Sequence, residues 1–366
     1  LDRFKGKVYH TGHWPHEPVD FSGQRVAVIG TGSSSIQAVP VIAEQAKHLT
    51  VFQRTANFSV PAHNAPLTAE QRDWFKKNYP EVRRFAREVS RNGIYTQQPD
   101  RGALDDGDNE WRARYEAGWQ HGGVVFMAVY NNVLLDKAAN DTAADFVRGK
   151  IAEIVKDPAR AKLLQPDSHP IGTKRICIDT GYFATFNRPN VALVDLRSEP
   201  ITRFTADGIL TSATEYPLDA VIFATGYDAI TGAVTRIDIR GRDGASLAAK
   251  WRETPVNYLG IATSGFPNLF TMIGPGSPSV LGNMPTSIEQ HVDWITDCIR
   301  HMRDKGFQRI EPLPGFLRVR VAVIVDGHGR SCIDDVSLYL DRAPAGTRVE
   351  SRSVRRLPRP TGAQST

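Results

Sequence analysis

Residues 24–55 read QRVAVIGTGSSSIQAVPVIAEQAKHLTVFQRT, and this stretch indicates the fold class. A run of β-branched residues leads to Gly30, a helix-periodic segment follows, and a second apolar run ends at Gln53. A strand, a glycine turn, a helix and a second strand in this order are typical of a βαβ unit. The stretch therefore predicts an α/β protein built on a Rossmann-like parallel sheet.

The glycine turn of this unit is a candidate phosphate-binding site. A helix that begins directly after such a turn presents free backbone amides and the positive end of its dipole to a pyrophosphate. Ser35 departs from the usual motif because it stands where a third Gly or Ala is expected, so strand and helix must pack around its hydroxymethyl group. A tight turn without a ligand is the alternative. The predicted phosphate-binding residues are Gly30, Thr31, Gly32, Ser33 and Ser34.

The end of the second strand indicates which dinucleotide the unit prefers. An NAD site has a carboxylate there for the ribose hydroxyls, whereas this chain has Arg54 followed by Thr55. A guanidinium favours the additional 2′-phosphate of NADP, with the threonine as a second donor. A solvated surface arginine is the alternative. Lys174 and Arg175 precede another predicted strand, and spacing alone favours surface charge for this pair.

The segments that follow alternate between helical and strand character. Thr68 begins a capping box, and charged helix-periodic sequence continues to about Leu164, which predicts a helical insertion. Strand character then returns, with an Asp207-Gly208 hairpin turn. The run VIFATGYDA predicts a buried strand that ends at Ala224, Thr225 and Gly226, where glycine lets the backbone approach a ligand.

The C-terminal part predicts one more strand and one long helix. The run PNLFTMI, residues 267–273, predicts a buried strand that leads into a Gly/Pro loop. A helix is predicted over residues 287–302, with one apolar stripe that we expect to pack against the sheet. The residues of this stripe are Ile288, Val292, Ile295, Ile299 and Met302.

Composition argues against nucleic-acid and membrane partners. The chain has 366 residues and a formal net charge of +5, but residues 315–366 contain nine Arg, no Lys and five Asp or Glu. Because this tail accounts for +4 of the charge, no folded basic face is predicted, and we expect no nucleic-acid binding. No apolar run approaches the roughly 18 residues of a membrane helix, so we expect no membrane partner either.

Cysteine and histidine patterns argue against metal sites and disulfides. Cys177, Cys298 and Cys332 lie far apart, and none has CxxC spacing. This usage predicts a reducing cytoplasmic location without a disulfide framework. The ten histidines show neither HxE nor HExxH pairing, and no nucleophile elbow is present, so neither a metal site nor a hydrolase is predicted.

The stretch before the βαβ unit reads FKGKVYHTGHWP, residues 4–15. Its pattern Phe4-x-Gly6-x-x-x-His10-x-x-x-Trp14-Pro15 resembles the fingerprint of Baeyer–Villiger monooxygenases, flavoenzymes that insert an oxygen atom beside a ketone. The resemblance continues through GTGSSSIQ, FQRTANFSVPAHNAPL, GTKR, TFNRPNV, ATGYDAITGA and GPGSPSVLGNMPTSIEQHVDWITDCI, to about residue 312. It is strongest to the phenylacetone and steroid monooxygenase branch.

The resemblance implies cofactors, substrates and a catalytic residue. It implies a two-dinucleotide-binding-domain flavoprotein with FAD and NADP as cofactors and with a ketone and O₂ as substrates. The matching lysine, Lys174, joins Arg54 at the 2′-phosphate. The matching arginine, Arg175, is catalytic and faces the flavin, where a fixed guanidinium stabilises negative charge.

The resemblance also extends the predicted site. Met284 matches a position that touches the flavin, and Val280 and Leu281 match a loop on the substrate side. Gln37 lies in the matching glycine-turn motif and is predicted to contact the cofactor together with Ala224, Thr225 and Gly226. The implied divisions are a fingerprint linker at 1–22, an NADP-binding domain at 23–60 and 168–222, a helical insertion at 61–167, the C-terminal part of an FAD-binding domain at 223–313 and an atypical Arg-rich tail at 314–366.

Two departures from the family pattern lead to a further expectation. The family has its FAD-binding GxGxxG upstream of the fingerprint, and its usual C-terminal segment is replaced here by the Arg-rich tail. We therefore expect a fragment that binds flavin weakly and is inactive alone. The alternatives are a flavin-containing monooxygenase that oxidises nitrogen or sulfur, whose fingerprint lacks the Trp-Pro end, and a non-catalytic NADP-binding fragment.

Overall fold

The computed structural model describes residues 1–90, 92–96, 98–277 and 282–312. The described residues form ten strands: β1 (Lys7–His10), β2 (Arg25–Ile29), β3 (His48–Gln53), β4 (Ser59–Pro61), β5 (Cys177–Asp179), β6 (Val191–Asp195), β7 (Ile201–Phe204), β8 (Gly208–Thr211), β9 (Glu215–Pro217) and β10 (Ala220–Phe223). They also form nine α-helices: α1 (Ser33–Gln45), α2 (Ala69–Glu88), α3 (Asp108–His121), α4 (Lys137–Ile154), α5 (Pro158–Leu164), α6 (Tyr182–Thr185), α7 (Gly232–Thr235), α8 (Leu247–Lys250) and α9 (Met284–Lys305).

A five-stranded parallel sheet positions the site. Its strand order is β1-β10-β2-β3-β6, so the chain builds outward from β2 through β3 to β6 and then returns to the other side of β2. The carboxyl ends of β2 and β10 therefore flank a topological switch point, where open α/β sheets bind ligands. The predicted βαβ unit, including the end of β3 at Gln53, is confirmed.

Different layers cover the two faces of the sheet. Successive side chains of a strand point to opposite faces. Val26 and Val28 of β2 enter a large core that also contains Tyr115 and Phe126 of the helical insertion. The intervening Ala27 enters a smaller core with residues of β8 and β10, on the side of the antiparallel sheet β7-β8-β9. The insertion thus shares one core with the sheet.

Local signals at the insertion and the hairpin are confirmed. Thr68 and Gln71 form the predicted capping box at the start of α2. The insertion leaves the sheet layer after β4 and returns at β5, and these two strands pair in parallel. Ser59 donates a 2.5 Å hydrogen bond to Asp179, which ties the two ends together. Strands β7 and β8 form the hairpin predicted at Asp207-Gly208.

The fingerprint segment and residues 267–273 differ from the sequence-based expectations. The fingerprint segment is more than a linker, because Lys7–His10 forms β1 and pairs with β10. The strand predicted at residues 267–273 is wrong: only an isolated bridge between Ala262 and Phe270 forms there. Without neighbouring strands, a short apolar run has no ladder in which to satisfy its backbone groups.

The predicted packing of the last helix against the sheet is also wrong. Helix α9 is longer than predicted, and its stripe is largely exposed, with Val292 at 43% and Ile299 at 51% of their accessible surface. The helix instead contacts the insertion through Asn283, whose backbone N–H donates to the Asn92 carbonyl at 2.7 Å. Amphipathic periodicity predicted the helix but carries no information about its partner. The tail, residues 314–366, lies outside the described residues.

Candidate functional site

The glycine turn lies between two other strand ends. Gly30 follows β2 with a φ of +110°, and a Cβ atom there would lie 2.4 Å from the carbonyl oxygen of Ala224. Its N–H donates to the Phe52 carbonyl at 3.0 Å. Because only glycine tolerates both this φ and this contact, the turn requires glycine at this position.

The N-terminus of α1 has open space next to its N-cap residue, Gly32. Gly32 is the N-cap and provides no side-chain cap, and a Cβ atom there would meet nothing within 4 Å. The first amides of α1 therefore face space that a phosphate can enter. Ser35 is fully buried, and its hydroxyl has no hydrogen-bond partner among the described residues. A serine in place of Gly or Ala at this position therefore leaves a buried hydroxyl unsatisfied, which destabilises the folded state.

A hydrogen-bonded loop joins the glycine turn to the end of β3. The Thr31 hydroxyl donates to the Thr55 carbonyl at 2.6 Å, and the Asn57 amide donates to the Thr31 carbonyl at 2.7 Å. Arg54 lies within this loop. The loop therefore fixes the position of the arginine backbone relative to the open end of α1.

The fold brings a second cation to this loop. Partial burial lowers the pKa of Lys174, and the nearby Arg54 guanidinium lowers it further. Burial also lowers the pKa of His169 to about 4, with a smaller contribution from Lys174. An anion bound here would favour the charged form of Lys174, because it would offset the repulsion from Arg54. Spacing alone had favoured independent surface charge for this lysine.

The end of β10 meets the fingerprint segment beside the glycine turn. Ala224 is buried against Gly30, whereas Thr225 and Gly226 are exposed. The next residue, Tyr227, places its hydroxyl 3.4 Å from that of Thr11. Hydrogen bonds with Thr11 and then Ser34 lower its pKa, so this tyrosine links the fingerprint segment to the start of α1.

The fingerprint residues have identifiable contacts. The Phe4 ring packs 6.4 Å from that of Phe204, and a Cβ at Gly6 would lie 2.6 Å from the Asp219 carbonyl oxygen. His10 Nδ1 accepts a hydrogen bond of 3.0 Å from the Gly12 N–H. The Trp14 ring lies 5.4 Å from Tyr9, and Pro15 is partly buried.

Arg175, the residue after Lys174, lines a cavity of about 440 Å³. Its guanidinium makes no hydrogen bond or ion pair with the residues that the structure describes. The other lining residues are mainly apolar or uncharged: Asn92, Thr96, Gln98, Pro99, Val124, Met127, Ala128, Tyr130, Asn131, Leu134, Leu135, Gly172, Ile176 and Gly282. Among the described lining residues, the cavity thus combines a mainly apolar wall with the positive charge of the exposed Arg175.

The remaining predicted site residues, Gln37, Met284, Val280 and Leu281, have no described contact that points to a ligand. The exposed Gln37 side chain donates to the Ile178 carbonyl at 3.4 Å, and Met284 begins α9 with a partly buried side chain. Val280 and Leu281 lie outside the described residues. Over the described ranges, no cluster of three His, Cys, Asp or Glu has a metal-binding arrangement, and no helix there combines the length and apolarity that spanning a membrane requires.

Comparison with known proteins finds relatives of this chain. No family model matches the chain. A Baeyer–Villiger monooxygenase from Pseudooceanicola batsensis is 41% identical over 323 residues, which are 85% of this chain and 57% of the relative. The structure of a steroid monooxygenase bound to NADP is 50% identical with a TM-score of 0.82, covering 87% of this chain and 60% of that one. The chain is homologous to the Baeyer–Villiger monooxygenases.

Two further comparisons bear on the cofactors and the chemistry. The structure of OTEMO in complex with FAD and NADP is 39% identical with a TM-score of 0.83, covering 87% of this chain and 61% of that one. A phenazine N-monooxygenase from Lysobacter antibioticus is 39% identical over 301 residues, or 81% of this chain and 54% of the relative. The chain thus spans between half and two thirds of these proteins. The resemblance and the α/β flavoprotein fold predicted from the sequence are confirmed.

Proposed function

We propose that this chain is the NADP-binding part of an NADPH- and FAD-dependent Baeyer–Villiger monooxygenase. The reaction inserts one oxygen atom of O₂ beside the carbonyl of a ketone and yields an ester or lactone. One observation carries the proposal: Lys174 lies near enough to Arg54 for the guanidinium to lower its pKa, and the next residue, Arg175, lines the cavity. These two adjacent residues would thus connect a nucleotide-phosphate site to a cavity of about 440 Å³.

NADP fits the residues present at the glycine turn. The open space before Gly32 suits the pyrophosphate, and we assign it to the amides of residues 30–34. Arg54, Thr55 and Lys174 surround the place of the 2′-phosphate, with Ala224, Thr225 and Gly226 on the opposite strand end. Bound NADPH supplies hydride for the reaction.

FAD does not fit the described residues by themselves. Among them, only the turn after β2 leads from the five-stranded parallel sheet directly into a helix of more than two turns. We propose that residues 223–313, including Met284, complete an FAD domain whose phosphate-binding unit is contributed by the remainder of a longer protein. No reaction step is assigned through the flavin for this chain.

Arg175 is the proposed catalytic residue. Its guanidinium is not neutralised by a described carboxylate, and it lies beside the mainly apolar lining of the cavity. A cation held beside a reacting ketone stabilises negative charge that develops on oxygen. We propose that Val280 and Leu281 complete the substrate side of this cavity and that the fingerprint residues hold β1 against the cofactor sheet.

A chimera tests the activity. Residues 1–312 replace the matching segment of a Baeyer–Villiger monooxygenase, and the products from a panel of ketones, amines and sulfides are identified by mass spectrometry. We expect esters or lactones with NADPH. In the chimera, Arg175→Ala should abolish ester formation while NADPH-dependent flavin reduction remains measurable, and exposed Arg188→Ala should change neither. Oxidation of amines or sulfides without any ester would support the N-oxygenation named for the Lysobacter relative instead.

We also propose the cytoplasm as the location. Cys177 and Cys298 are both free, which suits a reducing compartment. Oxidised thiols at these positions in freshly isolated protein would contradict this location.

A further inference from the structure

A third basic side chain lies at the end of β3. Leu196, directly after β6, donates its N–H to the Gln53 carbonyl at 2.7 Å, so the chain after β6 runs along the end of β3. The next residue, Arg197, donates from Nε to the Arg54 carbonyl at 3.0 Å. Its guanidinium therefore lies directly on the loop to which we assign the 2′-phosphate.

The terminal nitrogens of Arg197 have a weakly held partner. They lie 3.3 and 3.4 Å from one Asp167 carboxylate oxygen, and the side chains are 47% and 64% exposed. An exposed ion pair at this distance contributes little to stability, because solvent screens it. A phosphate, with more negative charge and three acceptor oxygens, competes well for the same guanidinium.

The loop that carries Asp167 also carries the other cation of the site. His169 is influenced electrostatically by both Lys174 and Asp167. The measured contacts at the end of β3 are those of Arg197 with the Arg54 carbonyl and with Asp167, and Lys174 acts on the same group of charges electrostatically. Among the described residues, Asp167 is the acid that pairs with the Arg197 guanidinium, whereas the Arg197 backbone N–H donates to Asp195 at 3.1 Å.

We propose that Arg197 is a further residue that determines specificity for NADP over NAD, and that it exchanges Asp167 for the 2′-phosphate when NADP binds. This inference rests on the proposed function, because it assumes that NADP binds at the glycine turn. It adds a cation that the sequence motifs did not identify. The signal available in the sequence was only a single arginine two residues after a strand.

The test is calorimetric titration of the 366-residue chain with NADP⁺ and, separately, with NAD⁺. Arg197→Ala should weaken NADP⁺ binding about tenfold, as expected for one charge-assisted contact, and leave NAD⁺ binding unchanged. Arg197→Gln keeps a donor for the Arg54 carbonyl but removes the charge, and it should behave like the alanine variant. Asp167→Asn should tighten NADP⁺ binding several-fold.

Two reference variants separate the possible outcomes. Arg54→Ala should weaken NADP⁺ selectively, whereas exposed Arg203→Ala should have no effect. Wild-type NADP⁺ affinity in Arg197→Gln would show that Arg197 only supports the loop, and so would equal losses of NADP⁺ and NAD⁺ affinity in Arg197→Ala. Either result would overturn this inference but would leave the proposed function standing. If the wild-type chain binds NADP⁺ no better than NAD⁺ and Arg54→Ala has no effect, the proposed function fails as well.

Discussion

Two glycines of one turn have different roles at the residue scale. Gly30 has a left-handed φ and touches the Ala224 carbonyl, whereas Gly32 has an ordinary φ of −81° and open space before it. The first glycine is required by the fold, and the second leaves room for a ligand.

This difference predicts opposite effects of the same substitution. Gly30→Ala should lower the free energy of unfolding by at least about 2 kcal/mol, because the strained φ and the clash both act on the folded state. Gly32→Ala should leave stability within about 1 kcal/mol but weaken NADP⁺ binding. Urea unfolding and NADP⁺ titration of both variants provide the measurement, and equal stability losses would contradict the assignment of roles.

At the element scale, an ion pair joins the amino ends of β2 and β10. Arg25 and Asp219 lie 2.8 Å apart, and hydrogen bonds from Arg25 lower the pKa of Asp219 to about 2. A depressed carboxyl pKa contributes stability above the unfolded value near 3.9, and this contribution is lost as the pH falls toward 2.

Replacing the acid should therefore have a pH-dependent effect. Asp219→Asn should lower stability at pH 7 by less than about 1 kcal/mol, because both side chains are around two-fifths exposed and solvent screens the pair. The difference from wild type should persist down to pH 5 and shrink between pH 4 and 2. Urea midpoints across this range measure it, and a difference that grows toward acid pH would refute the linkage.

Helices α2 and α9 are joined by two ion pairs in matching register. Arg83 lies 2.7 Å from Glu289, and Arg87 lies 2.6 Å from Asp293. Each pair is exposed and weak by itself, but together they align α9 with the insertion beside the cavity residue Gly282. The contact is electrostatic and should be sensitive to salt.

Charge reversal tests this contact. The double variant Arg83→Glu/Arg87→Glu should increase hydrogen exchange in residues 282–286 several-fold at low salt. The expected cause is loss of the hydrogen bond from the Asn283 N–H to the Asn92 carbonyl. Adding Glu289→Arg and Asp293→Arg should restore protection. Arg72→Glu/Lys76→Glu makes the same charge change on α2 and should have no effect. Deprotection by this control as well would point to net charge instead.

At the scale of the whole molecule, the described residues provide one dinucleotide cradle and a largely exposed apolar stripe on α9. We expect the 366-residue chain expressed alone to purify without flavin colour, to consume no oxygen with NADPH and a ketone, and to bind NADP⁺. Exposed apolar surface also favours aggregation. An absorbance scan decides this: stoichiometric flavin bands would mean that the chain completes an FAD site by itself.

The sequence by itself determined what depends on neighbours along the chain. The βαβ unit, the glycine turn, the capping box at Thr68 and the hairpin at Asp207 are encoded by periodicity and backbone preferences within a few residues. These signals were sufficient for the fold class. The predicted roles of Lys174 and Arg175 came from the resemblance to a family and not from local patterns.

Only the tertiary structure decided which distant segments meet. It brought Arg197 to Arg54 and Lys174 within electrostatic range of it, placed Arg175 beside a cavity lined largely by the insertion, and joined α9 to the insertion instead of the sheet. No local pattern encodes these contacts, because an apolar stripe or a lone cation has many acceptable partners. The choice among them depends on the packing and electrostatics of the assembled chain.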